Sequence, residues 1–168
     1  EPIFNRVELK LGFSRERSNE TYLGLSDEDF RDNPYRRYAA SQLDRMTWWR
    51  TQVELRHHLV IGEHVDFVTT AYRHDFQRTW RRLNRFVGER DGTGPSLFDT
   101  LNNPTGGRDT YYRVLSGERD STEFGPEHDL LVVSNARRFV SQGIQTELHA
   151  TFGEAVEQEL IVGLRLHY

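Results

Sequence analysis

Val7-Glu8-Leu9-Lys10-Leu11-Gly12-Phe13-Ser14 alternates between apolar and polar residues. Successive side chains of an extended chain point to opposite faces, so Val7, Leu9, Leu11 and Phe13 share one face, and Glu8, Lys10 and Ser14 the other. A helix would scatter both classes around its circumference; the stretch predicts a strand with one apolar face. The same period returns downstream. Trp49, Thr51, Val53, Leu55, His57 and Leu59 oppose Arg50, Gln52, Glu54, Arg56 and His58. Ile61-Gly62-Glu63-His64 supplies a tight turn into a third run, Val65 to Trp80, where Val68, Thr70, Tyr72, His74 and Phe76 oppose Thr69, Arg73, Asp75 and Gln77 less cleanly.

Alternation resumes with Ile144, Thr146, Leu148, Ala150 and Phe152 against Gln145, Glu147, His149 and Thr151. Gly153-Glu154-Ala155-Val156 closes a second short turn, and Leu160, Val162, Leu164, Leu166 and Tyr168 form a last apolar face opposite Arg165 and His167. The fold expected is all-β: an antiparallel meander of about five long strands. Its connections alternate, long over residues 15–46, short over 61–64, long over 81–136 and short over 153–156. The region after Trp80, rich in Gly, Pro, Asn and Asp, reads as irregular, with one or two helical turns over Pro95–Leu101. Ser26-Asp27-Glu28-Asp29 resembles a helix N-cap with an acid at the third helical position.

Long connections at every other position are rare in compact soluble domains. Outer-membrane barrels use them systematically, with short periplasmic turns and long extracellular loops. That pattern makes residues 3–14 an outward strand, 47–60 inward, 65–80 outward, 137–152 inward and 157–168 outward. Trp48, Trp49, Phe76, Trp80 and Phe152 stand near strand ends, where amphipathic rings form membrane-interface girdles. The competing reading places these rings in the core of a soluble sandwich. Five strands are too few to close a transmembrane barrel, whose smallest single-chain examples have ~8.

Composition agrees with strands whose apolar content is concentrated on particular faces. Hydrophobic residues make up 36% of the 168 and aromatics 12%, with a mean hydropathy of -0.74. No segment approaches the ~20 consecutive apolar residues of a membrane helix, a test that alternating strands escape. A net charge of -4 gives no broad electrostatic case for nucleic acid. Cysteine is absent, so thiolate chemistry and disulfides are excluded. His57 and His58 would point to opposite faces of a strand, and no His-x-x-x-His pair falls on an expected helix, so no metal site is expected. No Gly-x-Ser-x-Gly elbow or phosphate-binding glycine loop occurs, and no catalytic residues are assigned.

The string Glu20-Thr21-Tyr22-Leu23-Gly24-Leu25-Ser26-Asp27-Glu28-Asp29-Phe30, followed by Asn33-Pro34-Tyr35-Arg36-Arg37-Tyr38-Ala39-Ala40-Ser41-Gln42-Leu43-Asp44-Arg45-Met46, resembles the TonB-dependent outer-membrane receptors, in the branch similar to ferric-citrate receptors. Further matches keep the family's order: Tyr72-Arg73-His74-Asp75-Phe76 with Arg78 and Trp80, Tyr111-Tyr112-Arg113-Val114-Leu115-Ser116-Gly117, Ser141-Gln142-Gly143-Ile144-Gln145, and Gly163-Leu164-Arg165-Leu166-His167-Tyr168. The resemblance covers almost all of residues 1–168 but only a middle part of the family's barrel, without the plug domain, the energy-coupling box or the C-terminal barrel strands. It implies a segment of a 22-stranded transmembrane barrel in the bacterial outer membrane. Such a receptor imports ferric chelates, siderophore or ferric citrate, on energy delivered by the TonB complex through the plug. Iron would arrive as chelated cargo, with no resident cofactor and no enzymatic step.

Within that frame Arg31, Arg36, Arg37, Tyr38, Arg45, Tyr111, Tyr112 and Arg113 are the candidate ligand-binding residues, arginines holding an anionic chelate and tyrosines packing it. The alternative is that Asp27, Glu28, Asp29, Asp32 and Asp44 pair with those arginines. Arg50, Gln52, Glu54, Arg56, Arg73, Asp75, Gln145, Glu147 and Arg165 form the expected lumen-facing set, contacting one another and a plug. Outside this class, the chain reads as a self-contained soluble β-domain that binds a ligand or polypeptide through its long loops.

Overall fold

The computed structural model describes residues 3–168. Five strands form one antiparallel sheet: β1 (Ile3–Ser18), β2 (Arg45–Ile61), β3 (Val65–Phe86), β4 (Leu130–Phe152) and β5 (Gln158–His167). Their order in the sheet is their order in the chain, β1-β2-β3-β4-β5, so each strand pairs with its sequence neighbour. Ile144 lies opposite Leu166, Thr146 opposite Leu164 and Leu148 opposite Val162, which aligns the apolar faces of β4 and β5. The sheet is not closed.

The chain divides into two compact units. Among the described residues, one comprises 3–15, 48–77 and 137–168, the other 16–47 and 78–136. The first, the sheet unit, is built of strands and the two short turns. Among the described residues it contains no buried hydrophobic side chain, and Asp75 is its single buried residue. Val7, Leu9, Leu11 and Phe13 are each more than 60% exposed, as are Leu164 and Leu166, and Leu160 and Val162 are about half exposed.

The second, the loop unit, has a core of its own. Phe86 and Leu115 are fully buried, and Leu83, Tyr111, Val114 and Ala40 pack with them, flanked by Leu23, Leu97, Leu101, Phe124 and Leu130. Here the structure differs from the sequence expectation of an irregular region. β3 runs six residues beyond Trp80 and β4 starts at Leu130, because Leu83, Phe86 and Leu130 are anchored in this core. Between them lie α2 (Val87–Asp91), α3 (Leu97–Asn102) and α4 (Asp109–Ser116), and the first long connection carries α1 (Asp27–Asp32). The N-cap reading at Ser26 holds: its hydroxyl accepts the Asp29 N–H at 3.3 Å and donates to the Asp29 carboxylate at 3.1 Å. Ser96 caps α3 in the same way, accepting the Asp99 N–H at 3.0 Å.

α4 stops at Gly117, which adopts φ 87° and donates its N–H to Arg113 O at 3.1 Å. This left-handed closure suits glycine alone for a second reason. A Cβ at Gly117 would stand 2.5 Å from the Ala39 Cβ. Gly92, which ends α2 at φ 72°, has nothing within 4 Å of such a Cβ. Gly117→Ala is therefore expected to destabilise the loop unit by about 1 kcal/mol or more beyond the cost of Gly92→Ala. Urea midpoints of the two variants check this; equal midpoints would refute the packing argument.

Candidate functional site: two sheet faces and a carboxylate-centred loop cluster

Contacts across the strands identify the two faces of the sheet unit. On the first, the Phe4 ring meets His58 at 5.5 Å, His58 Nε2 lies 3.0 Å from an Asp66 oxygen, and Trp48, Phe76 and Phe139 are in ring contact at 5.9 and 6.0 Å. Tyr72 joins His167 on this face at 2.7 Å and accepts from Arg165 at 3.4 Å. Because alternate residues share a face, Arg50, Gln52, Glu54 and Arg56 follow from Trp48 and His58, and Gln145 and Glu147 from Phe139. Glu54, Arg56, Gln145, Glu147 and Arg165 indeed line one shallow depression together.

On the second face, His57 lies 2.9 Å from Asn5, Thr69 2.9 Å from Thr146, Arg73 donates to Gln142 at 3.1 Å, and Arg138 donates to Asp75 at 3.2 Å. This face carries Val53, Leu55, Ile144 and Leu166, which line one apolar hollow with Ala71 and Arg73. Arg73 and Asp75 therefore separate from the rest of the expected lumen-facing set: they lie on the apolar side, paired with each other at 2.8 Å. Three residues, Gly62 to His64, separate β2 from β3. An odd-length turn brings residues of like parity face to face, so the odd positions of β3 join the odd, apolar positions of β2. β3's own mixed alternation was too weak to oppose this.

The aromatics divide as well. Trp48 and Phe76 share the face of Arg50, opposite to that of Trp49, and an interface girdle requires rings on the apolar face. They are thus reassigned to the polar side. Trp80 belongs to the loop unit, where its ring contacts Tyr22 at 4.3 Å and Arg82 lies over it at 5.3 Å. Phe152 is half exposed at the end of β4.

In the loop unit three of the candidate ligand-binding residues, Arg36, Tyr38 and Tyr112, gather around Asp29, a buried carboxylate at the third position of α1. Tyr38 and Tyr112 donate their hydroxyls to it, and Arg36 forms an ion pair with it. The Tyr38 hydroxyl also accepts the Ser26 N–H at 3.0 Å. Burial alone would raise the Asp29 carboxyl, but hydrogen bonds from Tyr112, Tyr38 and Ser26, with the charge of Arg36, outweigh it, and the group titrates below its usual value. Burial first, then the bond to Asp29, pushes the Tyr112 hydroxyl upward, so it remains a donor at all ordinary pH.

Arg37 staples the first long connection to itself, donating to Asn19 O, to Ser41 Oγ at 2.9 Å and to Ser41 O at 2.6 Å. Tyr111 is buried, stacked on His128 at 3.9 Å and edge-on to Phe86 at 4.9 Å. Arg113 pairs with Asp109 one turn back on α4 at 2.9 Å. Arg31 and Arg45 are exposed and are not brought into this cluster. Asp44, which the sequence offered as a partner for the arginines, is instead buried and accepts from Thr21 at 2.6 Å and from the Leu83 N–H at 2.6 Å, tying the first long connection to β3. Among the described residues, no group of three or more His, Asp or Glu is gathered as a metal site would require, and no helix is long and apolar enough to cross a membrane.

Asp29→Ala leaves two buried or half-buried hydroxyls and a guanidinium without their common acceptor, and is expected to destabilise the loop unit by about 2–3 kcal/mol. A carboxyl with a depressed folded-state value contributes fully above the usual 3.8 and loses its contribution as pH falls through the lower folded value. Tyrosine near-ultraviolet dichroism of the loop unit should therefore decline on the acid side, and Asp29→Asn should weaken that dependence. An unchanged acid limb in Asp29→Asn would assign the transition to other groups.

No family model, curated protein or solved structure matches the chain.

Proposed function

We propose that the chain is a wall segment of a 22-stranded transmembrane barrel, part of a TonB-dependent receptor that imports ferric chelates across the bacterial outer membrane. The observation that carries this reading is the sheet unit's lack of a core: every buried hydrophobic side chain among the described residues belongs to the loop unit. An apolar sheet face normally requires another layer of protein. Hydrocarbon meets the same requirement, and only closed barrels and helices satisfy the backbone within it. From Val7 to Phe13 the exposed apolar face spans about 20 Å along the strand, close to the ~25 Å band of outer-membrane barrels.

In this reading the apolar face meets outer-membrane lipid, and the face of Arg50, Gln52, Glu54, Arg56, Gln145, Glu147 and Arg165 meets the lumen and the plug. The turns at 62–64 and 153–157 are periplasmic, and the loop unit is extracellular. Its Asp29 cluster gives the loops a fixed scaffold; of the cationic candidates Arg36 alone joins it, and Arg31 and Arg45 are exposed outside it, as Arg37 and Arg113 are with their own partners. Energy enters through the TonB complex acting on the plug, and the chelate is cargo. A soluble β-domain is disfavoured because it would have to cover Val7, Leu9, Leu11, Phe13, Leu160, Val162, Leu164 and Leu166, none of which is buried.

The test is made on the full gene product. It is expected in the outer-membrane fraction with heat-modifiable migration. Leu164→Arg, on the apolar face, should reduce assembled protein by the equivalent of about 2–4 kcal/mol, whereas Gln145→Lys, on the opposite face, should stay near wild type. Equal effects of the two substitutions, or a monomeric soluble product, would overturn the proposal. Growth on different ferric chelates then identifies the cargo.

A further inference from the structure

One row of side chains crosses the polar face of the sheet unit beside its two short turns. The Phe4 ring of β1 meets His58 of β2, whose Nε2 lies 3.0 and 3.1 Å from the two carboxylate oxygens of Asp66 on β3. The Thr151 N–H bonds to His64 O at 2.9 Å, and the Thr69 and Thr146 hydroxyls meet at 2.9 Å, so counting along the antiparallel pair sets Asp66 opposite His149 of β4. His149 in turn stands between two further carboxylates. Its Nε2 is 2.7 Å from Glu147 on its own strand, and its Nδ1 is 3.7 Å from Glu159 of β5.

The inequality of those two distances follows from proton count. A neutral imidazole carries one N–H and one lone pair. The 2.7 Å contact assigns the hydrogen to Nε2, because a lone pair held that close to a carboxylate oxygen would be repelled. Nδ1 then presents only its lone pair to Glu159, and 3.7 Å lies outside hydrogen-bond range. A second proton, on Nδ1, turns this mismatch into a charged donor facing an acceptor.

We propose that His149 is a proton-operated clasp between β4 and β5: protonated, it bridges Glu147 to Glu159, and deprotonated it releases Glu159. β5 is the strand with most to gain. Every residue from Gln158 to His167 is exposed, so side-chain burial contributes little to holding it on β4. The groups facing the imidazole are Asp66 from β3, Glu147 from β4 and Glu159 from β5. His58 of β2 stands behind Asp66, and Arg56 of β2 and Arg165 of β5 lie with Glu147 in the adjoining depression. Imidazoles ordinarily exchange this proton near pH ~6.5, where carboxylates stay ionised and guanidiniums stay charged. A bridge made only by the protonated ring stabilises the sheet on the acid side of that range and is lost as the pH rises through it.

The bridge lies within one sheet, so it stands whether or not that sheet lies in a membrane. Its test is the thermal midpoint of the purified full gene product at about pH 6 and about pH 8, either side of the ordinary imidazole value, read as loss of the heat-modifiable form or as cooperative unfolding. Wild type is expected to melt a few degrees higher at the acid pH. His149→Gln, whose amide still reaches Glu147 but takes up no proton, should lose much of that difference. Glu159→Gln, which keeps the ring and its bond to Glu147 but removes the charge that the second proton faces, should lose the same part. The double variant should lose no more than either alone. Both side chains are more than a third exposed, so the substitutions leave the packing in place. His58→Gln, which removes the other imidazole of the row, should keep the part that depends on His149. An equal or lower wild-type midpoint at the acid pH overturns the proposal. So does a pH difference left intact by His149→Gln or by Glu159→Gln, or losses that sum in the double variant. The same pH dependence in a protein absent from the outer membrane would sink the receptor reading and leave the clasp intact.

Discussion

An apolar sheet face with no protein against it is the constraint on which the rest of the structure turns. The hydrophobic contribution of a face scales with the area removed from water, and in the sheet unit that removal is not provided by the described residues themselves. Hydrogen bonding between strands holds the meander together, yet β1 and β5 each have one neighbour in the sheet. Both the uncovered face and the two edges are liabilities in water. A lipid surround with further strands resolves both at once, whereas a covering helix or second sheet would resolve only the first.

The loop unit follows a different economy. Its core is small, with Phe30 and Phe98 among the large apolar side chains left exposed, and its buried carboxylates organise backbone as much as side chains. Asp44 accepts from a hydroxyl and a main-chain N–H, and Asp29 collects two phenols and a guanidinium. Charge-assisted hydrogen bonds of this kind let long connections hold one conformation without a large core. Residues that look like a ligand-binding set in the sequence are, in large part, the residues that fix the loops.

The strands were legible because period-two alternation is a local property, visible in Val7–Phe13 and in Leu160–Tyr168 without reference to neighbours. The capped start of α1 was legible for the same reason. α4 was missed although Tyr111, Val114 and Leu115 stand at i, i+3 and i+4 with Gly117 beyond them, a pattern that marks one face and a stop. The placement of Arg73, Asp75, Trp48 and Phe76 was not legible from β3 alone. Both faces of β3 mix polar and apolar residues, so its orientation is imposed from outside by the turn and by pairing. The Asp29 cluster was out of reach too, since Tyr112 and Asp29 are 83 positions apart.

The turn at Gly62–His64 thereby acquires a weight out of proportion to its size. Short exposed connections are usually where insertions and deletions accumulate harmlessly. Here a change of one residue would reverse the parity linking β2 to β3 and exchange the environments of every side chain along the hairpin. The connections of 26 residues between β1 and β2 and 43 between β3 and β4 impose no such counting rule. Length variation in descendants of this sequence should therefore concentrate in the long connections, and the three-residue turn should change in identity far more readily than in length.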